Sequence, residues 1–305
     1  MTSGHSSSAV VPIQVLVANW PDYSLIDTGG RRKLERFGSQ VIVREEPKAW
    51  WQPAQPESEW ARAQATHEEG QPWRLAPGTV REWTMRWREL TVQAKLTETS
   101  KHLGVFPEQA PHWEFIQAHA KKLAANAQGG ERPRLLNLFG YTGVATLAAA
   151  AAGFAVTHVD ASRPAINWGR HNQQLSGLDK APIRWILDDA LKFVRREIRR
   201  GVRYDALVLD PPSFGRGPEG EIWKVETSLP ELLALCREAL TDRPQFVLLT
   251  MYNLEASSLM LHNIVEQMMR GSGGNLTVGE LALPSSDPEP RLLPLSLWAR
   301  WESGT

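Results

Sequence analysis

LLNLFGYTG (135–143), VTHVDAS (156–162) and ALVLDPPSF (206–214) read as three strands in order, each ending in chemistry. The first ends in a tight glycine turn that opens a helix. The second ends in a carboxylate, Asp160, spaced to meet a ribose. The third ends in Asp210-Pro211-Pro212-Ser213-Phe214, a rigid acidic turn with an aromatic behind it. Ligands of open α/β sheets bind outside the carboxyl ends of the strands. Three such ends imply an adenosine-type cofactor facing a polar substrate group.

In the first turn, Gly140 and Gly143 flank Thr142, so backbone N–H groups can approach a ligand. The plain alternative is a generic strand-to-helix turn. The spacing is G-x-x-G, so the dinucleotide fingerprint is absent, and no G-K-[ST] follows to make a phosphate loop. Asp160 can accept two ribose hydroxyls or cap the next helix, a task Ser162 can also take. Leu187-Asp188-Asp189-Ala190 ends a further strand. Asp189 is read as a contact to an adenine amino group and Asp188 as the cap of the next helix. In the acidic turn two prolines fix φ and remove two N–H donors. The turn therefore presents acceptors, which suit an exocyclic amine, and Phe214 offers a face for a planar base.

Outward from these strands the pattern is regular. Strands near 134–139, 155–160, 183–187, 205–210 and 245–251 alternate with helices near 143–152, 163–176, 190–200, 228–241 and 255–270. That order implies βαβ crossovers and a parallel sheet. NLTVGELAL (275–283) and LLPLSLWARW (292–301) add two strands. Upstream, 107–130 carries Trp113, Ile116, Ala120, Leu123 and Ala124 on one helical face and stops at a Gly-Gly pair.

The N-terminal text is different. Residues 1–14 read as a disordered tail. Residues 15–99 carry QVLVANW, QVIVREE, TVREWTMRW and LTVQAKL, alternating strands punctuated by Gly and Pro, with seven of the 13 Trp in the first 87 residues. They are read as a small β-rich domain with a long loop and one short helix over 52–71. Residues 100–305 are read as a second, α/β domain.

Composition narrows the class. The chain has 305 residues, 42% hydrophobic and 22% charged, with net charge zero. Zero net charge argues against holding nucleic acid by overall charge and permits local basic patches. A single cysteine, Cys236, excludes an intrachain disulfide and fits a reducing cytoplasm. No signal-peptide pattern precedes Arg31 and no apolar run approaches a membrane span. His102, His112 and His119 lack metal-ligand spacing, so no metal site is expected.

Three basic clusters are candidates for a phosphate backbone. Lys192, Arg195, Arg196, Arg199 and Arg200 make one helical stripe, which reads better as a solvated face. Arg31, Arg32, Lys33 and Arg36, with Trp83 and Trp87, can hold and stack RNA or can simply surround a Trp core. GRGPEGEIWK (215–224) is either a clamp using Arg216 and Lys224 or an ordinary surface loop.

On NLFGYTG and DPPSF the chain resembles the class I S-adenosylmethionine-dependent methyltransferases, and within them the 23S ribosomal RNA large-subunit branch. The resemblance covers about 100–305. SLIDTGGRRKLERFG (24–38) looks like the entry domain of a subgroup, and the N-terminal PUA module of some members is not read here. The resemblance implies a Rossmann-like, mostly parallel α/β sheet of about seven strands after a small β-rich domain. It implies S-adenosyl-L-methionine as cofactor and ribosomal or other RNA as partner. It places Asn137, Phe139, Gly140, Thr142 and Gly143 in the cofactor loop, Asp160 on the ribose and Asp189 on the adenine. GVFPEQ (104–109) resembles a family stretch whose Gln lies near the cofactor, here Gln109. Asp210 and Pro211 would meet the substrate amine, with Phe214 stacked on the base.

Two departures matter. Cytosine-C5 methylation needs a Cys nucleophile, which in the resembling enzymes follows the fifth strand. Here that place reads LLTMYNLE (248–255). Asn137 also replaces the acid common on the first strand. The reading is methylation of an RNA base, with an exocyclic amine favoured. A small-molecule or protein methyltransferase, and a non-catalytic RNA-binding protein on the same fold, are the alternatives.

Overall fold

The computed structural model describes residues 10–98, 100–126, 132–252, 256–286 and 290–304. Strand β1 (Ile13–Val17) precedes β2 (Tyr23–Gly29), β3 (Arg32–Phe37) and β4 (Gln40–Glu45). Helix α1 (Glu57–Trp60) and short strands β5 (Ala65–Thr66) and β6 (Arg74–Leu75) lead to the hairpin β7 (Glu82–Trp87) and β8 (Leu90–Lys95). A 3-10 turn, Pro107–Gln109, opens α2 (Ala110–Asn126). Then β9 (Arg134–Leu138), α3 (Val144–Ala151), β10 (Ala155–Asp160), α4 (Arg163–Leu175), β11 (Ile183–Leu187), α5 (Ala190–Arg199) and β12 (Ala206–Leu209) alternate. The hairpin β13 (Phe214–Arg216) and β14 (Ile222–Lys224) precedes α6 (Val225–Ala239), β15 (Phe246–Tyr252), α7 (Ser258–Met269), β16 (Asn275–Pro284) and β17 (Leu292–Glu302).

The large sheet runs β1-β16-β17-β15-β12-β9-β10-β11, with β17 antiparallel to both neighbours and every other pair parallel. Its central strands are mostly apolar because helices cover both faces: all four residues of β12 and the first six of β15 are buried. Helix α3, VATLAAAA, is apolar nearly all round and is correspondingly buried. The chain leaves β9 toward β10 and β11 on one side, and β12 toward β15 on the other. The crevice between the carboxyl ends of β9 and β12 is therefore the topological switch point.

The sheet has eight strands where about seven were expected. The extra one is β1, from QVLVANW, which was assigned to the tail and N-terminal domain. It pairs parallel with β16, Ile13 opposite Val278 through Val17 opposite Ala282. Alternation marks a strand without naming its partner. Gly279 makes the approach possible, since a Cβ there would fall 1.7 Å from the Gln14 carbonyl oxygen. Residues 1–9 of the expected tail, and the Gly-Gly stop at 129–130, lie outside the described residues.

The rest of the N-terminal text forms a five-stranded sheet, β2-β3-β4-β5-β6, and the hairpin β7–β8. In the five-stranded sheet Glu35 is buried against Arg44 at 2.7 Å and accepts from the Tyr23 hydroxyl at 2.8 Å. The open edge of β8 is closed by α4 side chains. Gln93 N donates to Asn172 Oδ1 at 2.8 Å, and the Trp168 indole donates to the Gln93 carbonyl at 3.2 Å. Trp20 and Trp87 each meet Trp113 of α2 edge to face, so much of the tryptophan is packing. Among the described residues no helix is long and apolar enough to cross a membrane.

Candidate active site

The loop after β9 is strained. Phe139 and Tyr141 both hold positive φ, 58° and 49°, on either side of Gly140. Non-glycine residues in this region cost about 1–3 kcal/mol each and persist where the surroundings over-determine them. The surroundings do so here. Tyr141 N donates to Asp160 Oδ2 at 2.8 Å, the Thr142 hydroxyl donates to the Gly104 carbonyl, and Asn172 donates to the Thr142 carbonyl at 3.1 Å.

The glycines serve packing beneath the loop. A Cβ on Gly140 would lie 2.4 Å from the His158 ring, and one on Gly143, at φ 82°, 2.6 Å from the Trp185 ring. Asn137 lies in the same under-layer. It is buried and donates to Thr146 Oγ1 at 2.8 Å, which meets His158 Nδ1 at 2.9 Å. Burial pushes His158 down to about 3, so this layer is neutral. Asn137 and Thr142 shape the loop from below, while Phe139, Tyr141 and Asp160 line a cavity of about 470 Å³.

Asp160 is fixed at both oxygens, with Ser162 N donating to Oδ1 at 2.8 Å. Its burial raises the carboxyl pKa, opposed by the Ser162 and Tyr141 N–H groups. Ser162 caps α4 by accepting from Ala165 N, which leaves Asp160 to the cavity. At the next strand end the capping assignment is reversed. Asp189, not Asp188, caps α5, accepting from Lys192 N at 2.9 Å. Asp188 accepts from Asp189 N at 2.9 Å and pairs with Arg196. Both line the cavity, and one oxygen of Asp189 is not needed for the cap.

Across the cavity stands Asp210. Gln109 Nε2 donates to its Oδ2 at 3.2 Å and to the Tyr252 hydroxyl at 3.0 Å. Its Oδ1 is buried with no hydrogen-bond partner among the described residues. Burial, then the nearby Glu108 carboxyl, push Asp210 up to about 8. The turn was expected to present acceptors only. Its raised pKa brings the protonated form, a donor as well as an acceptor, closer to neutral pH than in an exposed aspartate. Gln109, matched to the cofactor side by resemblance, is hydrogen-bonded to the acidic turn. Pro211 lines the cavity beside Asp210, while the Pro212 carbonyl is taken by the Trp223 indole at 2.6 Å.

Phe214 is 54% exposed and is not part of the cavity wall. It sits opposite Lys224 in the β13–β14 hairpin, while the next pair, Gly215 and Trp223, faces the other way. Trp223 enters the wall and packs on Phe139 at 4.8 Å. The aromatic surfaces of the cavity are Phe106, Phe139, Tyr141, Trp223 and Tyr252. Tyr252 was missed in the sequence, though it ends β15 as Asp160 ends β10, and the same strand-end signal would have found it. Trp223 was hidden in a stretch whose glycines read as loop.

In two of the basic clusters most cations are engaged, while Arg31 and Arg199 form no ion pair among the described residues. On α5, Lys192 pairs with Glu219 and Glu221, Arg195 with Glu231, Arg196 with Asp188 and Arg200 with Glu197. Near β3, Arg32 pairs with Glu57, Lys33 is buried with Glu46 at 3.3 Å, and Arg36 donates to the Pro21 and Gly38 carbonyls. Trp87 is buried and has no free face for a base. Among the described residues no group of three His, Cys, Asp or Glu is arranged to hold a metal. Cys236 is buried in α6 among leucines, and burial drives its thiol pKa far up.

A switch-point crevice with a strained turn, a fixed carboxylate and an acidic Pro-Pro turn defines a nucleoside-cofactor transferase of the doubly wound class. The family model for S-adenosylmethionine-dependent methyltransferases matches residues 109–263, half of the chain, and the chain belongs to that family. The crystal structure of an S-adenosylmethionine-dependent methyltransferase from Agrobacterium tumefaciens is 39% identical, with a TM-score of 0.90, over 99% of this chain and 98% of that one. Ribosomal RNA large subunit methyltransferase I of Klebsiella pneumoniae is 32% identical over 120 residues, 32% of this chain and 30% of that protein. Methyltransferase K of the same description, from Neisseria meningitidis, is 37% identical over 95 residues, 31% of this chain and 26% of that protein. The matched stretches thus span under a third of those curated relatives. The cofactor is S-adenosylmethionine, and the cavity fits it: the loop backbone, the doubly anchored Asp160 and the half-used Asp189 face one space.

Proposed function

We propose that this enzyme methylates a base of ribosomal or other RNA, at an exocyclic amine. The observation that carries the reading is the Asp210 carboxyl, whose Oδ1 is buried without a partner beside Pro211 and the aromatic wall. An unpartnered buried oxygen costs about 1–3 kcal/mol until something donates to it. An amine hydrogen is a donor of the right kind. The names of the ribosomal RNA methyltransferase relatives support RNA as the source of that amine.

S-adenosylmethionine, when bound, supplies an electrophilic methyl on a sulfonium. The remaining chemistry belongs to the chain. Asp160 holds the ribose diol, and Asp189 meets the adenine amine with its free oxygen. Asp210, once ionised, accepts one amine hydrogen and takes the proton released as the nitrogen is alkylated. Gln109 fixes Oδ2, so that Oδ1 meets the amine. The Pro211 carbonyl takes the second hydrogen, which leaves the lone pair aimed across the cavity. With Phe214 turned outward, Phe106 and Tyr252, cavity aromatics 5.7 Å apart, are the stacking surfaces for the base. Orientation of this kind supplies up to about 7–11 kcal/mol of barrier lowering without covalent catalysis.

Cytosine-C5 chemistry is not proposed. Cys236 lies in the core, and β15 ends in Thr250-Met251-Tyr252. Positions 253–255 of LLTMYNLE lie outside the described residues and contain no cysteine. RNA chemistry and a single cysteine fit a cytoplasmic site of action. Incubating total RNA, protein extract and metabolites with methyl-labelled cofactor tests the reading. Label in RNA supports it, and label confined to protein or metabolites overturns it.

A further inference from the structure

The β13–β14 hairpin has two unlike faces. Its inner face, Gly215 and Trp223, closes the cavity. Its outer face carries two cross-strand pairs, Phe214 with Lys224 and Arg216 with Ile222. Side chains two residues apart share a face, so these four form one patch. All four are exposed, Phe214 at 54% and Ile222 at 62%. Large apolar groups beside cations at the mouth of a site are not needed to fold a hairpin of three-residue strands.

The charges on this patch distinguish it from the other basic clusters. Among the described residues neither Arg216 nor Lys224 is in an ion pair, whereas most cations on α5 and β3 are bound to acids or carbonyls. The two acids at the hairpin tip, Glu219 and Glu221, are both held by Lys192 of α5. That pairing turns the tip's negative charge toward α5 and leaves the base of the hairpin positive. Arg216 joins the two surfaces, being exposed and also part of the cavity wall.

We infer that the outer face of this hairpin is a docking surface for the single-stranded RNA flanking the methylated base. Phe214 and Ile222 support a neighbouring base, and Arg216 and Lys224 neutralise the phosphates on either side. Alternation of a stacking platform with cations is the chemistry that holds single strands without reading their sequence. An acidic protein would use the cations and leave the aromatic platform idle. The inference rests on the RNA reading above and adds where the strand runs.

The probe is a fluorescein-labelled single-stranded RNA of about 12 nucleotides, within the span of such sites. Anisotropy gives its affinity for the full chain, and calorimetry gives the affinity for S-adenosylhomocysteine. Phe214→Ala combined with Ile222→Ala weakens RNA binding at least ~5-fold, the value of one lost stacking contact, with cofactor affinity retained. Arg216→Ala combined with Lys224→Ala lowers the dependence of log affinity on log salt by about 1.4, at ~0.7 for each lost phosphate contact. The Phe214/Ile222 variant keeps the wild-type salt slope. Wild-type RNA affinity in both variants overturns the hairpin assignment while leaving the RNA reading intact. A purely electrostatic loss, with Phe214 and Ile222 dispensable and polyglutamate competing as well as RNA, also overturns it. A wild-type protein that neither binds RNA nor labels it overturns the RNA reading itself.

Discussion

The Gln109 side-chain amide donates to Asp210 Oδ2 at 3.2 Å, tying the turn that opens α2 to the acidic turn after β12. It leaves Asp210 Oδ1 buried and unpartnered, in a setting where burial and Glu108 hold the carboxyl up to about 8. Below that value the carboxylate fraction falls tenfold per pH unit. If the ionised form accepts the amine hydrogen, kcat/KM for RNA rises about tenfold between pH 6 and pH 7 and levels off above about 8. Asp210→Asn removes this inflection. A rate profile at saturating cofactor checks it, and a flat profile in the wild type would contradict the role of Asp210.

Gln109 provides a second test. Its hydrogen bond favours the ionised Asp210, so removing it raises the pKa further. Gln109→Leu therefore moves the inflection to higher pH and lowers kcat at neutral pH, by about tenfold for a shift of one unit. The affinity for S-adenosylhomocysteine changes little, because the amide is engaged by Asp210 and Tyr252. Loss of cofactor affinity with an unmoved inflection would return Gln109 to the cofactor side, where resemblance alone had placed it.

Asp160 is the corresponding test for the cofactor. Both its oxygens are anchored by backbone N–H groups of the turns it must organise. Asp160→Asn keeps the shape, yet its amide N–H₂ faces a backbone donor at one of the two positions. Asp160→Ala removes both anchors and the ribose contact. Calorimetry on Asp160→Ala is expected to show cofactor affinity reduced at least ~10²-fold, about 2.7 kcal/mol. Wild-type affinity would sink the ribose assignment.

Cys236 is a control for mechanism. It lies in α6 within the core, and a serine there leaves a hydroxyl in apolar surroundings. Cys236→Ser is expected to lower stability by about 1 kcal/mol and to leave turnover nearly intact at a temperature where the variant is folded. Thermal unfolding and initial rates measure the two effects. Trapping on a 5-fluorocytosine RNA, together with an inactive Cys236→Ser, would restore covalent cytosine-C5 chemistry.

The strand ends were legible because central parallel strands are buried on both faces. RLLNL, AVTHVD and ALVL are buried, mostly apolar stretches that stop where the chain emerges. Asp160 and Asp210 therefore stand out as the first charged residues of the crevice. What was illegible depended on partners distant in sequence. Nothing local to QVLVANW names β16 as its neighbour, and nothing in the α5 stripe announces Glu219, Glu221 or Glu231. The side to which Phe214 turns follows from the register of a hairpin whose glycines resemble a loop. The raised pKa of Asp210 comes first from its burial and then from Glu108, 102 positions earlier in the chain and buried in the turn before α2.

The most direct measurement is the position of the methyl group. Total RNA is incubated with methyl-labelled S-adenosylmethionine and the wild-type enzyme, then digested to nucleosides and analysed by mass spectrometry. The account predicts label on an exocyclic amine, reduced by about 10²-fold or more with Asp210→Ala, the scale of losing one preorganised hydrogen-bonding group, while that variant still binds the cofactor. A methyl at a ring carbon, or label in RNA that is undiminished in Asp210→Ala, would contradict it.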